Sequence, residues 1–246
     1  MKCPCCQVPL ETQKIATISF DVCHSCLSVW IPNQAIKGIV AARAMTSPQF
    51  LAQLLDRITK IEQGAYTDKL TGLRNRRFFD RQLYAELVRA HGSHYLSLIL
   101  MDLDGFKPAN DTYGHATGDL VLKDFSAIVS RFIRKNDSAA RVGGDEFGII
   151  LPETDTAGAC AIAQRIIDET ADHVFSTVDE KPIEHLVRVS CGIASFPADI
   201  SIDAADPEYL LMHLFNLADA ALYAAKEQGR GQCFCASNLP ADVKVK

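Results

Sequence analysis

The apolar positions fall into two kinds of run. Tyr95 to Met101 is a nearly unbroken apolar, β-prone stretch that ends at Asp102-Leu103-Asp104, the pattern of a buried strand that delivers carboxylates at its C-terminal end, where α/β folds build ligand sites. Similar runs predict strands near residues 95–102, 139–142, 147–151 and 187–194. Elsewhere the spacing changes to threes and fours. Val121, Phe125, Ile128 and Phe132 predict a helix opened by Gly118-Asp119 and closing near Arg134. An alanine and isoleucine face predicts another from Asp155 to His173, and Leu210, Leu214, Leu217 and Ala221 predict a third from Pro207, with Gly229 as its C-cap. The stretch Phe106 to His115 interrupts all periodicity, so no element is predicted there. Interleaved strands and helices make the fold class α/β (α+β). Cys160 and Cys191 fall at core positions of these elements, while Cys233 and Cys235 have no spacing partner and read as incidental.

The first 66 residues have a different texture. A short helix over 33–45 stops where Thr46-Ser47-Pro48 supplies a cap and an N1 proline for the next one. In that second helix Leu51, Leu54, Ile58, Ile61 and Ala65 recur at three and four residues. The pattern fits either an amphipathic helix lying on its own domain or the seam of a two-stranded coil about two heptads long.

Composition narrows the class. With 246 residues, 48% of them hydrophobic and 22% charged, the chain suits a globular core plus a small module. No apolar run reaches the roughly 18 residues of a membrane span, and polar cysteines occupy the N-terminus where a signal peptide needs a greasy stretch. A cytoplasmic protein with no membrane partner is expected. The net charge of −5 gives no general attraction to nucleic acid or anionic lipid.

Five of the nine cysteines crowd the start. Cys3 and Cys6 form one Cys-x2-Cys pair, Cys23 and Cys26 another, with a β-prone stretch between them. Two such knuckles close a tetrahedral Zn²⁺ site, and so short a segment needs such a staple to fold. A disulfide pair and a redox-active couple are the alternatives.

The densest chemistry lies at Arg141-Val142-Gly143-Gly144-Asp145-Glu146-Phe147. Adjacent glycines between apolar runs predict a tight hairpin with positive-φ residues at its tip. Asp145 and Glu146 then stand at its mouth, either as a solvated tip or, crowded near further acids, as oxygen ligands for Mg²⁺ or Mn²⁺. Lys226 and Arg230 fall one turn apart, as a solvated pair at a helix end or as part of a site.

Several motifs occur together and in order: Asp68-x-Leu-Thr-Gly-Leu-x-Asn-Arg-Arg, Asp102-Leu-Asp-x-Phe-Lys-x-x-Asn-Asp-Thr-Tyr-Gly-His, Gly118-Asp119, Arg141-x-Gly-Gly-Asp-Glu-Phe and Ala218-Asp-x-Ala-Leu-Tyr-x-Ala-Lys-x-x-Gly-Arg230. From about residue 66 to 235 the chain resembles the GGDEF family of diguanylate cyclases. The resemblance implies a palm-like domain, akin to nucleotide polymerases and adenylyl cyclases, with a central, mostly antiparallel sheet flanked by helices. It also implies condensation of two GTP into cyclic di-GMP and two pyrophosphates by a homodimer. On this reading Asp102, the Leu103 carbonyl and Asp145 hold Mg²⁺ (or Mn²⁺). Asp145 also accepts the 3′-hydroxyl proton, and Glu146 assists. Asn110 and Asp119 recognise guanine, while Phe106, Lys107, Lys226 and Arg230 meet the phosphates, with His115 of the same motif among the substrate-binding residues. Arg134-x-x-Asp137 matches an inhibitory cyclic di-GMP site. Gly105, Ala109 and Gly231 depart from the family's usual histidine, larger apolar residue and asparagine.

Residues 1–32 in turn resemble the zinc ribbon of transcription factor IIB-like fingers. The expected organisation is therefore a ribbon at 1–32, a helical linker or dimer stalk at 33–66, the cyclase domain at 67–236 and a tail at 237–246. Two alternatives stand beside the cyclase: a catalytically weak GTP or cyclic di-GMP receptor, and an adaptor whose ribbon binds nucleic acid or protein. Nucleic acid is not the expected partner.

Overall fold

The computed structural model describes residues 2–3, 8–15, 18–23, 29–30, 65–90, 95–183, 187–200 and 207–240. The chain divides into two compact units, Met1–Thr67 and Asp68–Lys246.

In the first unit β1 (Glu11–Ile15), β2 (Ile18–Val22) and β3 (Val29–Trp30) form an antiparallel sheet in chain order. Glu11 lies opposite Val22, and Asp21 opposite Trp30. Cys3 and Cys23 are fully buried, and the Cys3 amide donates to the Val8 carbonyl at 2.8 Å. Cys5, Cys6, His24 and Cys26 lie outside the described residues, as does the expected linker over 33–66 apart from Ala65 and Tyr66.

The second unit runs β4 (Arg74–Asn75), α1 (Arg76–Ala90), β5 (Leu96–Asp104), α2 (Phe106–Tyr113), α3 (His115–Phe132), β6 (Ser138–Arg141), β7 (Glu146–Pro152), α4 (Thr156–Asp172), β8 (Arg188–Phe196), α5 (Pro207–Glu227) and β9 (Cys233–Cys235). Its sheet has the order β4-β6-β7-β5-β8-β9. The β6–β7, β7–β5 and β5–β8 pairs are antiparallel, whereas the edge strands β4 and β9 run parallel to their neighbours. The expected mostly antiparallel sheet with flanking helices is present.

Alternation along β5 explains its unbroken apolar run. Successive side chains point to opposite faces, and both faces are covered. Ile99, Met101 and Leu103 pack with Val121, Phe125 and Ile128 of α3 and Ala163 and Ile166 of α4. Leu96, Leu98 and Leu100 pack with Phe79, Leu83 and Leu87 of α1 and Leu210, Leu214 and Leu217 of α5. Phe125 meets Phe147 edge to face, with centroids 4.8 Å apart, an arrangement favoured by the ring quadrupoles. At Gly192 in β8 an added Cβ would collide with the Ala218 carbonyl and the Leu222 backbone, so glycine lets α5 lie directly on the sheet.

The short edge strands β4 and β9 carry no sequence pattern, and three helices differ from the sequence reading. Residues 106–113 form a helix, α2, although they carry no periodic pattern. Pro108 falls in its first turn, where a missing N–H breaks no intrahelical bond, and buried Ala109 docks it on the core. Helix α3 begins at His115, ahead of Gly118. Helix α5 ends at Glu227, so Arg230 lies beyond it and does not share a helical face with Lys226.

Candidate active site

The hairpin between β6 and β7 sets two acids beside the end of β5. Glu146 is the cross-strand partner of Asp102, and the Leu103 amide donates to the Asp145 carbonyl at 3.3 Å. The turn is closed by the Val142 and Gly143 amides, both donating to the Glu146 carbonyl at 2.9 and 3.2 Å. Neither Gly143 nor Gly144 adopts the left-handed conformation expected of the pair. An added Cβ at Gly143 would meet the carboxylate end of the exposed Glu146 side chain, which would have to shift. Gly144 offers its carbonyl to the Arg141 guanidinium, which donates through Nε at 2.9 Å and Nη2 at 2.7 Å.

The same guanidinium reaches back to the start of the domain, with Nη1 3.4 Å from Asp68 Oδ1. Asp68 also accepts from the Thr71 amide at 2.9 Å and the Thr71 hydroxyl at 2.7 Å. The Asp-x-Leu-Thr-Gly loop is thus a salt-bridged brace for the acidic hairpin. Burial raises the Asp68 carboxyl, but the Thr71 hydrogen bonds and the Arg141 charge together outweigh it and leave Asp68 below its ordinary range.

Asp145 is half-buried, and its carboxyl is pushed up, first by burial and then by the charge of Asp102. Lys226 Nζ stands 2.8 Å from Asp102 Oδ2 and offsets part of that repulsion. Among the described residues no three His, Cys, Asp or Glu side chains converge as a complete metal cage. A mutually repelling carboxylate pair fits Mg²⁺ nonetheless. That ion is held through one or two carboxylates and takes its remaining ligands from water and phosphate oxygens.

A second group lies at the junction of α2 and α3. Asn110 Nδ2 is 3.0 Å from His115 Nδ1, which turns the amide oxygen the other way. That oxygen is buried and has no hydrogen-bond partner among the described residues. It faces Gly118, where an added Cβ would sit 2.5 Å from Asn110 Oδ1 and 3.3 Å from Phe106 Cζ. The Gly-Asp motif therefore clears the space beside Asn110, and exposed Asp119 follows directly. Lys107 is exposed in the first turn of α2, three residues after Asp104.

Asp104 is a residue whose part in the site sequence reasoning left unassigned. It is 7% exposed, accepts from Ser190 Oγ at 2.7 Å and the Gly231 amide at 3.1 Å, and stands 3.6 Å from Arg230 Nε. Arg230 has φ 61° and Gly231 φ 59°. A left-handed turn costs a side-chain-bearing residue on the order of 1 kcal/mol, least for asparagine and none for glycine. The departure from asparagine at position 231 therefore preserves the backbone requirement. The signal available in the sequence was the second acid of Asp102-x-Asp104 at a strand end.

Arg134 and Asp137 lie at the other end of β6 from the acidic hairpin. The Asp137 carboxylate accepts from the Arg134 amide at 2.7 Å, holding a tight turn. Arg134 lines a cavity of about 440 Å³ together with Tyr95, Asp155 and Arg165. Arg165, on α4, carried no motif signal of its own.

Residues 65–232 match the model of the family described as "Diguanylate cyclase, GGDEF domain". The chain is 35% identical over 186 residues to diguanylate cyclase DgcS of Shewanella oneidensis, covering 74% of this chain and 57% of that protein. It is 37% identical over 167 residues to response regulator PleD of Caulobacter vibrioides, covering 68% of this chain and 35% of that protein. The chain thus spans roughly half, or less, of the curated relatives it matches. Among solved structures, the GGDEF domain of DgcB from Caulobacter crescentus in complex with c-di-GMP superposes with a TM-score of 0.64. It is 31% identical and covers 71% of this chain and 97% of that one. With these matches and an acidic hairpin set against the end of a buried central strand, the chain belongs to the GGDEF diguanylate cyclase family.

Proposed function

We propose that this protein is a diguanylate cyclase that joins two GTP molecules into cyclic di-GMP and releases two pyrophosphates. The observation that carries the reading is the Asp102–Asp145 pair with Lys226 beside it at the end of β5. Two carboxylates and one ammonium suit a triphosphate brought in with a divalent cation.

The base would enter beside Asn110, whose partnerless oxygen accepts one guanine donor while the Asp119 carboxylate accepts others. Adenine offers no matching N1–H donor, so GTP is strongly preferred over ATP. Lys107, the α2 N-terminus at Phe106, Lys226 and Arg230 would hold the phosphates, partly through charge and partly through the positive end of the helix. Asp102, Asp145 and the Leu103 carbonyl would hold Mg²⁺ or Mn²⁺, with Glu146 in support. When bound, the ion lowers the pKa of the 3′-hydroxyl and offsets charge developing on the phosphate oxygens. Asp145 would take the 3′-hydroxyl proton as that oxygen attacks the α-phosphorus of the other nucleotide. Because each domain holds one GTP, two copies must meet face to face.

Arg134 and Asp137 would form an inhibitory product site, supported by the cavity that Arg134 shares with Arg165. The first 32 residues would be a zinc ribbon. The burial of Cys3 and Cys23 at either end of the β1–β2 hairpin, and the sheet of three short strands, support it. Among the described residues no helix is long and apolar enough to cross a membrane.

The test is chromatography of nucleotides after the purified, product-stripped protein is incubated with GTP and Mg²⁺. Cyclic di-GMP that disappears with Asp145→Ala is the expected result. Failure of the zinc-loaded dimer to form any product would overturn the cyclase reading in favour of a nucleotide receptor.

A further inference from the structure

Four cysteines of the larger unit gather on one side of the sheet. Cys191 in β8 is register partner to Cys233 in β9, Cys235 lies two residues further on, and Cys160 faces them from α4. All four are thiols. Cys191 is fully buried, whereas Cys160, Cys233 and Cys235 are each partly exposed. The Cys160 and Cys235 sulfurs are 2.8 Å apart although 75 residues separate them in sequence. A disulfide closes at about 2.05 Å, so the pair has to approach by less than about 1 Å. Among the described residues no three of these groups converge as metal ligands would. The arrangement is a pair, not a cage.

We propose that Cys160 and Cys235 form a reversible disulfide when the protein meets a hydroperoxide. Hydrogen peroxide is small enough to reach two partly exposed thiols. Burial, and then the hydrogen bond to Cys160, push the Cys235 thiol up, which suits it to the second, resolving step. The Cys160 sulfur bonds to one peroxide oxygen, the O–O bond breaks, and the departing hydroxide leaves as water with the thiol proton. Cys160 is now a sulfenic acid. The Cys235 sulfur then attacks the Cys160 sulfur. The S–S bond forms, the S–O bond breaks, and the second hydroxide takes the Cys235 proton. Two thiols and one hydrogen peroxide give one disulfide and two waters. A small dithiol reductant reverses the step by thiol–disulfide exchange.

The bond would tie α4 to β9, the strand that continues directly from the Arg230–Gly231 turn held by Asp104 and Ser190. Oxidation would therefore restrain a segment that ends at the candidate active site. The proposal concerns the thiols alone and does not depend on the cyclase reading.

The experiment treats the 246-residue chain with hydrogen peroxide, alkylates the remaining thiols and maps the digest by mass spectrometry without reduction. The expected product is the Cys160 peptide joined to the peptide carrying Cys233 and Cys235, with fragmentation between the last two assigning the bond to Cys235. It should be lost after dithiothreitol, persist in Cys233→Ser, and be absent in Cys160→Ser, where Cys235 stays alkylatable. Alkylation of both Cys160 and Cys235 in the peroxide-treated wild type would overturn the proposal, as would a bond from Cys160 to Cys233 or sulfinic acid without a cross-link.

Discussion

Asp104 shows how a single buried carboxylate governs a residue far along the chain. It holds the Gly231 amide and lies beside the Arg230 guanidinium, so it pins the turn in which Arg230 has φ 61°. Asp104→Asn removes the charge and leaves the shape. The KM for GTP should rise by about tenfold, equivalent to ~1.4 kcal/mol, and Arg230→Ala should do the same. The double variant should be little worse than either single one, because residues that act through one contact are not additive. Fully additive losses in steady-state kinetics would show that the two act separately. Asp68 gives a stability prediction of the opposite chemical kind. Its carboxyl is lower in the folded state, so the charged form contributes stability that is complete above the unfolded value of about 3.9 and is lost as pH falls through the folded value. Asp68→Asn should cost about 1.5 kcal/mol near neutrality, and the gap from wild type should close in urea melts taken toward pH 3. A gap of constant size down that range would contradict the ion pair with Arg141.

At the scale of elements, the close approach of α5 to β8 depends on one residue. Gly192→Ala places a methyl group against the Ala218 carbonyl and the backbone of Leu222. Neither is a flexible side chain, so the helix must lift. Overpacking of this kind costs about 1–3 kcal/mol and sometimes more, and α5 carries Lys226. A lower denaturation midpoint with reduced cyclase rate is expected, and an unchanged midpoint would mean that the helix is not seated as described. The legibility of elements followed the same physics. Strands β5, β7 and β8 and helices α3, α4 and α5 were readable because core burial writes a period into their sequences. Helix α2 was not, because its eight residues bury little besides Ala109 and owe their form to neighbours. Strand β9 was also missed. Three residues carry no period, and only pairing with β8 makes Cys233 and Cys235 part of a sheet.

For the molecule as a whole, a reaction that joins two nucleotides held on separate domains makes activity a property of association. The proposed cyclase should lose rate per chain on dilution, in parallel with loss of the dimer by sedimentation. Chains that are monomeric yet retain their full specific rate would refute the face-to-face arrangement.

The sequence by itself determined the family, the ordered motifs, the main strands and helices and the identities of the acids, since these depend on residue type and spacing. Only the tertiary structure decided what those residues meet. Arg141 braces the hairpin against Asp68, Asn110 is left with a partnerless oxygen, Asp104 pins the Arg230 turn, and Cys160 touches Cys235. The Arg141, Asp104 and Cys160 contacts join segments distant in the chain, and the Asn110 environment depends on how α2 meets α3. Local pattern carries no information about them, because burial records which face of an element is covered but not which partner covers it.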